Sequence, residues 1–361
     1  MEQRIRSIRE VMKANDIEAM FINNMANVRY LSGFTEDAAA IYLSQKTACF
    51  VIRVGYKIQV ETKHKEFEYL LHDFPYPATY PTLAERVAEL VAKDKVKTLH
   101  FEGNNLSWGA HNDLSHHVKA ELIPMTGVLE TVRMTKNEDE LARVRTAAEI
   151  TDAAFSDIIK FIKPGLSELE VDAQLTALLR KYGAEGLAFN NIVASGENIL
   201  VMHAAPTERR LQKGDMVILD FGARYKGYCM DMTRTLIIGK ASQKQKEIYD
   251  LENLAVDDAA RVLRSGVAAA EVAKAGRARV IEAGYGNYFR HGVGHGVGID
   301  IHEIPSFVEN SPEIVPDNCV ATLEPGFYVP GIGGVRTENT YLVTKDKCES
   351  FLKTTREMLE L

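Results

Sequence analysis

The feature that most constrains the fold is a repeat. SDIIKFIKPGLSELEVDAQLTALLRKYGAEG, from Ser156, lies over DDAARVLRSGVAAAEVAKAGRARVIEAGYGN, from Asp257, at an offset of 101 residues. Gly165 then falls on Gly266, Glu170 on Glu271, Val171 on Val272 and Gly183 on Gly284. Each copy reads as a helix, a glycine turn, a second helix and a glycine stop. Each is followed by strand-like, carboxylate-bearing sequence. Helix–glycine–helix units resemble one another by composition, which is one explanation of the match. The other is a duplicated α/β unit with a site between its halves. Two copies, rather than an array, make a pseudo-symmetric domain.

Ahead of the repeat, residues 1 to 127 alternate helical and strand-like pieces. A helix over 2–14 precedes the apolar run IEAMFIN, then strands near AAIYLS and ACFVIRV, a helix around TLAERVAELVAKD and a strand at VKTLHFE. Such alternation predicts an α/β domain. Thr135 followed by Glu138 predicts a capping box at the start of the long helix that opens the second region. The expected division is 1–127 and 128–361. At 361 residues the chain is comfortable for two domains, and 46% hydrophobic against 26% charged residues suits a soluble globular protein. A net charge of −7 without a basic block argues against nucleic acid and anionic membranes as partners. The N-terminus lacks the apolar stretch of a signal peptide. The four cysteines include no Cys-x-x-Cys pair, a reduced, cytoplasmic pattern.

The chemistry is expected in the strands that follow each copy. GDMVILDFGARYKGYCMDMTRTLII places Asp220 and Asp231 in surroundings rich in Val, Ile, Tyr and Thr. An acid inside an apolar strand is costly unless paired, protonated or bound to metal. Asp215, after Lys213-Gly214, reads as a solvated turn residue. CVATLEPGFYVPGIGGVRTENTYLV supplies Glu324 and Glu338. Taken singly, each acid also reads as a strand-end residue. FRHGVGHGVGIDIHEIP adds His291, His295 and His302 among four glycines. Its spacing is G-x-G-x-G-x-G, not that of a dinucleotide loop, and no Gly-Lys-Ser/Thr follows to make a phosphate loop. A glycine-rich turn with incidental histidines and a metal and substrate site both remain open for it. In the extended run IDIHEIP, His302 would project toward whatever His295 contacts. One imidazole with four carboxylates suits two divalent ions, whose charge the four acids offset.

In order and setting, Asp220, Asp231, His295, Glu324 and Glu338 resemble the five-ligand signature of the pita-bread metallopeptidases. DFGARYKGYCMDMTRT, GHGVGIDIHE, TLEPGFY and GGVRTEN resemble the prolidase and aminopeptidase P branch, and NVRYLSGFT resembles the opening of its smaller domain. The resemblance implies an α/β (α+β) chain. A small creatinase/prolidase-like N-terminal α/β domain would precede a pseudo-symmetric pita-bread catalytic domain, with a curved, largely antiparallel sheet covered by helices. It implies a metal-dependent exopeptidase cleaving peptides with proline at the second position, as a homodimer.

Asp220 would chelate one metal, Asp231 and Glu338 would bridge two, and His295 with Glu324 would complete the second. Mn²⁺ is the first expectation, with Co²⁺ or Zn²⁺ as alternatives. Glu324 would also accept the proton of the attacking water. His203 would stand near the substrate amide, and His302 at the scissile carbonyl or its oxyanion. His291 would line the pocket after the cleaved bond, and Arg336 would steady the carboxylates or contact substrate. Two departures stand out. Met202 replaces the proline common before the first histidine, and RVGYKIQVETKHKEFEYL lacks an expected Asp-x-Arg-Tyr. A non-catalytic peptide-binding module and a creatinase-type hydrolase are the rival readings, though both characteristically lack part of the ligand set. Methionine aminopeptidase fits less well because of the preceding domain.

Overall fold

A computed structural model describes residues 2–36, 39–64, 67–73 and 80–361. Two compact units emerge, Met1–Arg133 and Met134–Leu361. The helix Val128–Arg133 belongs to the first, a few residues past the expected division. Lys65 and Glu66, part of the segment lacking Asp-x-Arg-Tyr, lie outside the described residues. Among those described, no helix is long and apolar enough to cross a membrane.

In the first unit six strands form one mixed sheet. Their order is Glu68–His72, Ala48–Arg53, Ala39–Ser44, Ala19–Ile22, Thr98–Glu102 and Glu121–Met125. Ala19–Ile22 runs antiparallel to Ala39–Ser44 and parallel to Thr98–Glu102. Its four residues are all buried, as a central strand requires. Leu83–Asp94 packs on this sheet with Thr82 and Glu85 closing a capping box, and Val87, Leu90 and Val91 forming its buried face.

The second unit repeats itself. Helices Glu138–Phe161 and Glu168–Lys181 correspond to Gln243–Val262 and Ala269–Glu282. The helix stops agree bond for bond at the 101-residue offset. Ala184 N donates to Leu179 O as Tyr285 N does to Val280 O, and Gly183 N to Arg180 O as Gly284 N does to Ile281 O. Gly183 and Gly284 both have positive φ, where a side chain would be strained. Isolated bridges Ser167↔Arg210 and Ala268↔Ile314 occupy matching places. In Glu138–Phe161 the buried Leu141, Val144, Ala148, Thr151, Phe155 and Ile158 alternate three and four apart, one face of a helix.

The capping box at its start is made by Asn137 and Glu140, not by Thr135 and Glu138. Thr135 is still extended there, bridging to Cys319, so the helix begins later than the Thr-x-x-Glu pattern predicts.

Each copy then contributes a sheet, and among the described strand pairs of this unit all but one are antiparallel. One sheet runs Leu359–Glu360, Met232–Ile237, Met216–Phe221, Ile192–Ser195; its parallel edge is the chain's last strand. The other runs Glu303–Ser306, His295–Gly296, Cys319–Leu323, Asn339–Val343, Cys348–Ser350. This is the pita-bread architecture.

Two buried ionisable side chains tie the unit together. Arg234, 1% exposed, spends its guanidinium on five acceptors: Thr233 O, Glu338 O, Asn339 Oδ1, Thr354 O and Thr355 O, at 2.7–2.8 Å. Burial pushes its pKa down to about 10, so it stays charged at neutral pH. Glu252, fully buried on helix Gln243–Val262, accepts from Thr337 N at 2.9 Å through one oxygen, while the other has no hydrogen-bond donor. Burial outweighs the Thr337 hydrogen bonds and pushes its carboxyl up to about 8.

Arg234→Met should therefore cost on the order of 3 kcal/mol, because buried acceptors lose their donor. Chemical denaturation measures this; a loss under ~1 kcal/mol would contradict it. Glu252 keeps its proton in the fold from the ordinary carboxylate range up to about 8. The stability it confers is full below that range and lost as pH rises through the folded pKa. Glu252→Gln should melt close to wild type near pH 5 and higher than wild type near pH ~8.5. Equal shifts at both pH values would refute the assignment.

Candidate metal centre

Two antiparallel strand pairs, one following each copy of the repeat, deliver the carboxylates. Met216–Phe221 pairs with Met232–Ile237 so that Thr233 lies opposite Asp220, and Asp231 immediately precedes the second strand. Cys319–Leu323 pairs with Asn339–Val343 with Leu323 opposite Asn339, so Glu324 and Glu338 leave the same end. Threonines stitch the two pairs together. Glu338 N donates to Thr233 O at 3.0 Å, Thr233 Oγ1 to Glu338 Oε2 at 2.8 Å, and Thr340 Oγ1 to Asp231 O at 2.8 Å. Between the aspartates the chain folds back so closely that a Cβ at Gly222 would lie 1.6 Å from Met230 O. Only glycine fits there.

His295 comes from a two-residue strand whose Gly296 lies opposite Ala321, and its N–H donates to Thr322 Oγ1 at 3.1 Å. Glu324 N donates to Val293 O at 2.7 Å. Asp231, His295 and Glu338 each turn one ligand atom into a cluster whose atoms all lie within 4.8 Å of one another. His295 Nε2 stands 3.6 Å from Asp231 Oδ2 and 3.4 Å from Glu324 Oε1. Asp220 is held by Arg336, whose Nη2 donates to Asp220 Oδ2, Nη1 to Tyr328 Oη and Nε to Thr233 Oγ1.

The electrostatics of this arrangement call for cations. Burial first, and then the negative charge of neighbouring carboxylates, pushes Asp231 and Glu338 well above the usual carboxylate range. Burial likewise pushes Glu324 up to about 8. Asp220 Oδ1, Asp231 Oδ1 and Glu338 Oε1 are buried with no hydrogen-bond donor. Burial lowers His295 to about 4, so its ring is neutral at pH 7. Its Nδ1 lies 3.0 Å from Gly296 O, which can only accept, so the proton sits on Nδ1. The Nε2 lone pair then faces Asp231 and Glu324, an arrangement of donor atoms that a cation between them would ligate. An oxygen-rich donor set with one imidazole fits divalent metal ions.

The remaining histidines surround this cluster. The His302 ring stands edge-on to His295, centroids 4.5 Å apart. It does not lie in an extended run: the strand begins at Glu303, and residues 298–302 form a turn. His291, lowered to about 3 by burial and then by Arg336, has Nε2 3.4 Å from Tyr328 Oη. His203 is exposed on the loop after the short helix Asn198–Leu200. Met202, in the usual proline's place, offers its carbonyl to Arg336 Nη1 at 3.3 Å. Asp215 is not a solvated turn residue; Arg209 forks onto it at 2.7 and 2.9 Å.

Three further residues shape the centre without a sequence signal. Thr233 and Tyr328 are ordinary strand residues until the fold brings Arg336 and Glu338 to them. Glu168 looks like any acid in the first turn of a helix. Instead it is buried and accepts from Ser195 N and Oγ, Asn198 Nδ2, and Thr207 N and Oγ1, at 2.7–3.0 Å. It thus clamps both ends of the His203 loop.

Known proteins resemble this chain along nearly its whole length. Residues 142–345 match the model of metallopeptidase family M24, and residues 4–135 that of the creatinase/prolidase N-terminal domain. The chain is 32% identical over 360 residues to a Xaa-Pro dipeptidase of Pyrococcus horikoshii, covering 99% of each. It superimposes on a Xaa-Pro dipeptidase from Bacillus anthracis with a TM-score of 0.94 at 35% identity, over 100% of this chain and 99% of that one. An X-Pro aminopeptidase from Thermotoga maritima gives 0.86 at 29% identity, over 98% and 100%. With its strand-end carboxylates, its neutral His295 and these matches along nearly its whole length, the chain belongs to metallopeptidase family M24.

Proposed function

We propose that this protein is a dinuclear metallo-exopeptidase that hydrolyses the imide bond of Xaa-Pro dipeptides or short peptides beginning Xaa-Pro. The observation that carries the reading is the convergence of undonated carboxylate oxygens and the bare His295 Nε2 on one buried point. Asp220, Asp231, His295, Glu324 and Glu338 would together hold the two ions. Mn²⁺ is assigned first, because oxygen donors dominate the set, ahead of Co²⁺ or Zn²⁺. Bound ions would supply Lewis acidity and a water that ionises near neutral pH.

The chain's own residues do the rest. Glu324 receives the proton of the attacking water and returns it to the leaving nitrogen, which as an imide carries no hydrogen of its own. His302, at the edge of the cluster, donates to the oxyanion as charge develops on the carbonyl. His203 orients the substrate amide, and His291 lines the pocket for the residue after the cleaved bond. Arg336 locks Asp220 in place through its bond to Oδ2. The same reading takes the working form as a homodimer of the cytoplasm, in keeping with four free cysteines.

Chelation followed by reconstitution with Mn²⁺, Co²⁺ and Zn²⁺, and assay on Xaa-Pro and Xaa-Pro-Yaa, tests the activity. Turnover should vanish on chelation and return with metal; a metal-free protein of undiminished activity would end the proposal. Asp231→Asn and Glu338→Gln should each lose metal and turnover together. Full activity with unchanged metal content in either would refute the ligand assignment. His302→Ala should keep its metal and lose about 10²–10³-fold in kcat, read by steady-state kinetics.

A further inference from the structure

The turn at residues 298–302 carries His302, yet it has no strand ladder of its own. It is built around the carboxylate of Glu303. Oε1 of Glu303 accepts from Ile299 N at 2.9 Å and from Asp300 N at 3.2 Å. Gly298 N donates to Asp300 O at 3.0 Å, and Gly298 O accepts from Cys229 N at 2.7 Å. The turn closes so tightly that a Cβ at Gly298 would lie 2.5 Å from both Glu303 carboxylate oxygens.

The other oxygen, Oε2, receives Lys136 Nζ at 3.1 Å. Both side chains are almost wholly buried, Lys136 at 2% and Glu303 at 6% exposure. Lys136 is itself fixed to the strand pair that bears Glu324. Its N–H donates to Asn318 O at 3.0 Å, and Thr135 bridges to Cys319. A continuous line of contacts therefore runs from the Cys319–Leu323 strand through Lys136 and Glu303 into the turn, and so to the His302 ring beside His295. A buried ion pair is a poor source of stability, since desolvating two charges consumes most of their attraction. What it does supply is a fixed direction.

We propose that Lys136 and Glu303 are positioning residues for the reaction: their buried ion pair sets the 298–302 turn so that the His302 imidazole meets the substrate carbonyl. Neither touches substrate. The inference rests on the role assigned to His302 above.

The test uses the full chain loaded with Mn²⁺ and a Xaa-Pro dipeptide, with Lys136→Met and Glu303→Asp made alone and in a His302→Ala background. Glu303→Asp keeps the charge and the fold but draws the carboxylate back by one methylene. Each single variant should lose about 10–100-fold in kcat, because small misplacements of a catalytic group cost this much. KM should move by less than about 3-fold, with metal content unchanged. Amide exchange at Ile299 and Asp300 should quicken. With His302 already removed, neither change should cost anything more.

Losses that multiply in the His302→Ala background, or unchanged exchange at both amides, would overturn the proposal. If Lys136→Met does not fold, Glu303→Asp decides the matter by the same readings. Absence of Xaa-Pro hydrolysis by the wild type would instead remove the functional reading. Amide exchange would still show whether the ion pair holds the turn.

Discussion

Mutual repulsion among buried carboxylates is the constraint around which the second unit is organised. Asp231, Glu324 and Glu338 are all driven above their ordinary range by burial, and each lies within the field of another acid. Such a cluster opposes folding unless protons or cations neutralise it. The strands that end in these acids are otherwise apolar and buried, so the repulsion is borne by a strong hydrophobic frame. The metal centre is thus a deliberate weakness held inside a stable surround, as functional sites often are.

What keeps the acids aimed is a second layer of neutral and cationic donors. Thr233, Thr340 and Arg336 contact the side chains of Glu338 and Asp220 or the carbonyl of Asp231 directly. Arg234 does the same from behind, through the Glu338 carbonyl. Glu168 and Glu303 act at the loops. Each is a buried carboxylate that gathers backbone N–H groups and thereby gives an irregular segment a single conformation. Buried polar groups of this kind specify geometry more than they add stability.

Much of this was legible in the sequence, for physical reasons. The repeat showed because glycine is needed at the same helix stops in both halves, and Gly183 and Gly284 do take positive φ. The acids showed because Asp220 and Asp231 stand in apolar runs where an unpaired charge is costly. The misreadings came from local patterns overruled by particular hydrogen-bond partners. Thr135 has the form of a cap, but its pairing with Cys319 delays the helix to Asn137. IDIHEIP alternates like a strand, but Glu303 folds its first half into a turn. Asp215 looked solvated until Arg209 was brought to it. Glu168, Lys136 and Tyr328 gave no signal, because their importance lies wholly in contacts made across 27 residues or more in one case, 167 in another, and to a buried arginine in the third.

The division of the centre between the two copies bears on how the protein comes into being. Asp220 and Asp231 follow the first copy, while His295, Glu324 and Glu338 follow the second. Each helix pair makes mostly local contacts and can form early, whereas the threonine bonds between the strand pairs join residues about a hundred positions apart. Neither half alone offers the full donor set. The cluster is therefore complete only once both halves have folded onto one another.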